Sequence, residues 1–168
     1  MNLNQTVDAI SKISNDDLDA LLCLVNQASN VLLIGNGGSN AIASHISVDY
    51  IKFLNKQSIA FSDPAMLTAF MNDEGVQNAY SEFISKMSNK DTLVILISSS
   101  GNSQNIFNAA KFCVQNNIKF VILTGFSKDN SVRSCFKDSA QLEYWVDSNS
   151  YGVVECVHQI FLHAIIKN

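Results

Sequence analysis

The chain has 168 residues, of which 47% are hydrophobic and only 15% charged, and it carries a formal net charge of -4. A chain of this length can bury roughly 70% of the surface that its unfolded form exposes, so a core can form without staples. Lysine and arginine are few and unclustered, which excludes the basic footprint of a nucleic-acid binder, and no apolar run reaches the ~20 residues of a membrane span.

Leu3, Val7, Ile10 and Ile13 recur at helical spacing, and the run Ser14-Asn15-Asp16-Asp17 opens a second helix through Leu18, Leu21, Leu22 and Val25. Residues 1–11 lack a basic stretch followed by an apolar one, so no secretory leader is expected. From Asn30 onward, short apolar runs alternate with helical stretches. The run 31–34, closed by Gly35, reads as a strand buried on both faces. A helix over 39–54, a strand over 58–61 and helical stretches from Pro64 to about Met87 follow. Then come a strand over 92–97, a helix over 102–114, strands over 119–124 and 141–146, and a final apolar helix over 152–166. This order predicts an α/β fold: residues 1–29 form a helical lead-in and 30–168 a doubly wound, parallel five-stranded sheet, as one domain. Cys23, Cys113, Cys135 and Cys156 form no CxxC pair and read as reduced core thiols of a cytoplasmic protein. The low surface charge suggests surface buried between subunits.

Two loops stand where strands run into helices. The first, Gly35-Asn36-Gly37-Gly38-Ser39-Asn40, lets backbone N–H groups approach an anion at the positive end of the following helix. It is not a dinucleotide fingerprint, because Asn40 stands where the third glycine belongs and no acidic residue follows near position 55. The second, Ser98-Ser99-Ser100-Gly101-Asn102-Ser103, brings four hydroxyls to a helix start. An N-cap needs one such residue, so four in six positions point to a phosphate cradle. Both loops leave the carboxyl ends of strands, where one ligand can touch both.

Three histidines occur, His45, His158 and His163. His45 has Asp49 four residues on, hence on one helical face, and His163 follows Glu155 by eight. Such acid/histidine pairs suit metal ligation or proton transfer, although spacing alone does not bring the two helices together.

The G-N-G-G-S loop at 35–39, the I-S-S-S-G-N-S loop at 97–103 and Asn72-Asp73-x-Gly75 between them resemble the sugar isomerase (SIS) domain family, and more narrowly its phosphoheptose isomerases. The resemblance implies a flavodoxin-like sheet, a homotetramer and interconversion of sedoheptulose 7-phosphate with D-glycero-D-manno-heptose 7-phosphate. It implies that Ser98, Ser99, Ser100 and Ser103 hold the phosphate and that Asn36, Gly37, Gly38, Ser39, Asn72, Asp73 and Glu155 contact the sugar. It also implies zinc on His45, Asp49, Glu155 and His163, with Asp49 and His163 as the proton-transfer pair. Two positions depart from the family pattern: Asp49 replaces Glu, one methylene shorter, and Glu155 replaces Gln. These departures keep open a second reading, a non-catalytic SIS module that binds a phosphosugar or assembles with a protein.

Overall fold

The computed structural model describes residues 3–166; residues 1–2 and 167–168, the ends of the expected 1–168 domain, lie outside it. Two helices, α1 (Leu3–Ile10) and α2 (Asn15–Gln27), precede the sheet. Ser14 caps α2 by accepting from the Asp17 N–H at 3.1 Å, as Ser-Asn-Asp-Asp predicts. Strands β1 (Asn30–Gly35), β2 (Gln57–Ala60), β3 (Thr92–Ser98), β4 (Lys119–Thr124) and β5 (Leu142–Trp145) are all parallel, in the order β2-β1-β3-β4-β5. Between them run α3 (Gly38–Leu54), α4 (Pro64–Glu74), α5 (Ala79–Met87), α6 (Gln104–Gln115) and α7 (Ser131–Phe136), and α8 (Tyr151–His163) closes the fold. This is the flavodoxin-like order, and its strand sequence reverses direction between β1 and β3.

The period-2 alternation of the strands divides the core in two. Val31, Leu33, Ile95, Ile97 and Val121 face α2, α3 and α8. Leu32, Ile34, Val94, Leu96 and Ile122 face α5, α6 and α7. The helices that begin after the two glycine- and serine-rich loops, α3 and α6, therefore lie on opposite faces of the sheet.

Three details differ from the sequence reading. The polar stretch after β4 contains α7, a six-residue helix that the reading left out; its apolar pair Val132 and Phe136 is buried one turn apart. The last helix ends at His163 rather than 166. Of the four cysteines only Cys113 is a core thiol, because Cys23 and Cys135 are exposed and Cys156 is half-buried. Cys23 lies between the buried positions Leu21 and Val25 of an amphipathic helix, so 3.6-residue periodicity turns it outward.

Two polar bonds fix α8. The Tyr50 hydroxyl on α3 donates to the Leu162 carbonyl at 3.2 Å, and fully buried His158 donates from Nε2 to the Thr124 carbonyl at 3.0 Å. Burial drives the His158 imidazole down from 6.5 to about 4, against a smaller upward effect of the Thr124 bond. Because the unfolded chain takes up the proton first, this residue's contribution is complete above pH 6.5 and is lost as pH falls toward 4. Between pH 7 and pH 5 the wild type should lose about 2 kcal/mol more stability than His158→Gln. Urea unfolding of both proteins at the two pH values measures the difference.

Candidate functional site

The first loop and the serine loop converge. Asn36, Gly37, Gly38 and Ser39 line one side of a cavity of about 200 Å³, Ser98, Ser99, Ser100 and Ser103 line another, and Tyr151 and Glu155 close it. Three helices, α3, α6 and α8, start at this cavity, each presenting about half a positive charge. No lysine or arginine lines it.

The hydroxyls of the serine loop are not consumed by capping. Ser103 is the N-cap of α6 but makes no side-chain cap bond, and the buried Ser99 Oγ has no partner among the described residues. Ser98 Oγ and Ser100 Oγ accept from the N–H groups of Gly101 and Asn102, both at 3.2 Å, which leaves their protons to donate outward. Gly101 shapes this turn: its φ is +64°, and a Cβ there would overlap the Asn130 carboxamide. Asn130 in turn caps α7 by accepting from the Arg133 N–H at 3.0 Å, and Val132 N–H donates to the Gly101 carbonyl at 2.9 Å. Thus α7 buttresses the serine loop.

On the first loop, a Cβ at Gly38 would sit 2.5 Å from both carboxylate oxygens of Glu155. Glycine there is what lets the α8 carboxylate lie over the start of α3. Further along the same two helices stands a second group. His45 Nε2 is 3.2 Å and His163 Nε2 3.5 Å from a single oxygen, Oδ2 of Asp49. These donors lie within 4.8 Å of one another. A tetrahedral zinc with bonds near 2.0–2.1 Å has ligand–ligand edges of about 3.3 Å, which the two spacings to Asp49 Oδ2 match.

The structure does not bring Glu155 into this cluster. Seven residues separate Gly38 from His45 and eight separate Glu155 from His163, or about 10 and 12 Å along each helix. The Glu155 carboxylate instead lies over Gly38 and lines the cavity between the two loops. Asn72 and Asp73 also do not line that cavity; they occupy the last turn of α4, exposed, with Asn72 Nδ2 donating to Asp73 Oδ1 at 2.9 Å. The sequence reading missed Tyr151, an exposed aromatic on the cavity rim. Its place one turn before Glu155 was the available signal.

The SIS domain profile matches residues 3–125, which takes in both loops and the His45/Asp49 helix. The chain belongs to the SIS domain family. Among curated SIS domain relatives, phosphoheptose isomerase 2 of Campylobacter jejuni is 36% identical over 124 residues, covering 70% of this chain and 61% of the relative. The chain thus spans about three-fifths of that relative's length. The phosphoheptose isomerase of Shewanella denitrificans is 29% identical over 152 residues, covering 87% and 76%. The solved phosphoheptose isomerase of Neisseria gonorrhoeae superposes with a TM-score of 0.85 at 24% identity, over 98% of this chain and 93% of that one, which establishes the shared SIS fold.

Gly101→Ala should lower folding stability by about 3 kcal/mol, from left-handed strain, a disturbed cap on α7 and overpacking against Asn130. Equilibrium urea unfolding measures the loss.

Proposed function

We propose that the protein is an aldose–ketose isomerase of sugar phosphates that converts sedoheptulose 7-phosphate to D-glycero-D-manno-heptose 7-phosphate. The observation that carries this reading is the division of one helix pair, α3 and α8, into an anion cavity at one end and a carboxylate–imidazole cluster at the other. A heptose 7-phosphate has the same polarity, with its phosphate at the far end of the carbon chain from C1 and C2. The names of the curated relatives support the same substrate.

In this reading Ser98, Ser99, Ser100 and Ser103 donate to the phosphate, and backbone N–H groups of Gly37, Gly38 and Ser39 complete the anion site. Glu155 and Asn36 contact chain hydroxyls. Asn72 and Asp73 reach the sugar only if α4 closes over the cavity. Asp49 removes a proton from C1 of the ketose while His163 protonates the C2 oxygen, giving an enediol. The Asp49 carboxyl, its proton exchanged with solvent, then protonates C2 while the C1 hydroxyl proton passes to the neutral His163, which forms the aldehyde and restores both groups. With zinc held by His45, Asp49 and His163, Lewis acidity toward the carbonyl oxygen would take the place of the His163 proton, because a ligating imidazole is neutral. The Oδ2 atom of Asp49 faces both imidazoles, so Oδ1 serves as the base. We further read residues 1–168 as one SIS domain that works as a cytoplasmic homotetramer. No helix among the described residues is long and apolar enough to cross a membrane.

Purified protein incubated with sedoheptulose 7-phosphate in D₂O should form an aldose carrying deuterium at C2, read by NMR. Asp49→Asn and His163→Ala should each lower kcat/KM by 10²-fold or more. Binding of sedoheptulose 7-phosphate without any turnover by the wild type would instead establish the non-catalytic module. Independently of activity, calorimetric zinc titration should show one site per chain that His163→Ala and His45→Ala each abolish.

A further inference from the structure

Asn36 is exposed at the tip of the first loop, yet its carboxamide is engaged inward. Its Nδ2 donates to Asn105 Oδ1 at 2.9 Å, and its Oδ1 accepts from Asn105 Nδ2, also at 2.9 Å. The two amides form a closed reciprocal pair. The Ile106 N–H donates to Asn105 Oδ1 at 3.0 Å. A backbone N–H requires an acceptor, so this bond fixes which end of the Asn105 amide is oxygen and, through the pair, fixes Asn36 as well. The Tyr80 hydroxyl stands 2.8 Å from both Asn36 Oδ1 and the Gly35 carbonyl and donates its single proton to one of them. Asn105 and Tyr80 are 7% and 2% exposed. Burial raises the Tyr80 phenol to about 12, so it remains a donor at neutral pH.

These three residues come from different parts of the chain. Asn36 follows β1, Asn105 is the second residue of α6 after the serine loop, and Tyr80 lies on α5. The pair therefore spans the crevice between β1 and β3 and ties one wall of the anion cavity to the other. Asn36 is followed by Gly37 and Gly38, which have no side chains to anchor that stretch and lose the most entropy on ordering. On the far side, Asn40 Nδ2 donates to the carbonyls of Gly35 and Phe61 at 3.1 and 2.8 Å, so the loop is held at both ends.

We propose that Asn105, supported by Tyr80, is a positioning residue: through the reciprocal amide pair it holds the first loop at a fixed separation from the serine loop and so preorganises the cavity for a sugar phosphate. The proposal rests on the sugar-phosphate reading of that cavity. It assigns Asn36 a different part from a free sugar ligand, because one carboxamide N–H and the carbonyl are committed to Asn105 and only the second N–H remains for a hydroxyl. Preorganisation lowers the ordering cost that a ligand otherwise meets, so its loss acts on binding more than on chemistry.

Asn105→Leu removes both pair bonds at similar volume. In the ligand-free protein, ¹⁵N relaxation should show the order parameters of residues 36–38 falling from about 0.85 to below about 0.6. KM for sedoheptulose 7-phosphate should rise about tenfold with kcat within twofold, and calorimetric affinity for inorganic phosphate should weaken by a similar factor. Asn36→Ala with Asn105→Leu should be no worse than Asn36→Ala alone, as expected of one interacting unit. Tyr80→Phe should show a smaller effect of the same sign. If Asn105→Leu does not fold, Asn105→Ala serves, since it removes the carboxamide and both pair bonds without adding a charge. Unchanged order parameters in a folded variant, or additive effects in the double variant, would overturn the proposal. Loosened order parameters in a protein whose wild type turns over no heptulose phosphate would uphold the latch and reject the isomerase reading.

Discussion

Everything at the site depends on where strand order reverses. β1 feeds α3 on one face of the sheet and β3 feeds α6 on the other, so two neighbouring parallel strands send their helices apart. A crevice must open between the two helix starts, walled by the N–H groups that no preceding turn can satisfy. α8 then packs beside α3 and adds a third helix start to the same opening. A cavity suited to an anion without a basic side chain follows from topology, because three partial positive charges and a ring of hydroxyls can stand in for a lysine.

The α3/α8 pair is the second constraint. It is held by the Tyr50 hydroxyl on the Leu162 carbonyl, while His158 ties α8 to the end of β4. Two helices fixed in this way carry Gly38 against Glu155 near their starts and His45 with Asp49 against His163 about two to three turns further on. The loop cavity and the metal-capable cluster therefore lie at two levels of one helix pair. The Glu155 carboxylate, where the family pattern has Gln, adds its charge at the first level, beside the amides of the first loop. Asp49 sits between two imidazoles at the second. The two departures from the family pattern thus stand at different places along the helix pair.

Much of this was legible in the residues. Short apolar runs closed by Gly35 and Gly125 marked buried parallel strands, and helical spacing marked α3, α6 and α8. The glycine and serine loops announced an anion site because their composition exceeds what turns and caps require. Other features were illegible for identifiable reasons. α7 has a single turn of apolar pairing, too short for periodicity to register. Cys23 sits in an apolar neighbourhood but on the outward face of its helix, which composition does not reveal. Asn105 looks like any polar residue in the first turn of a helix, and its role appears only when Asn36, sixty-nine positions earlier, lies across the crevice from it.

The sequence by itself determined the element order, the parallel α/β class and the identity of the groups able to meet an anion or a metal, because these follow from local periodicity and side-chain chemistry. Tertiary structure alone decided which of those groups share a site. It joined the two loops, paired His163 with His45 and Asp49, set the Glu155 carboxylate over Gly38, and left Asn72 and Asp73 outside the cavity. The physical reason is that relative helix placement is set by packing on two faces of a sheet and by a few buried polar bonds, and those contacts are long-range in the chain.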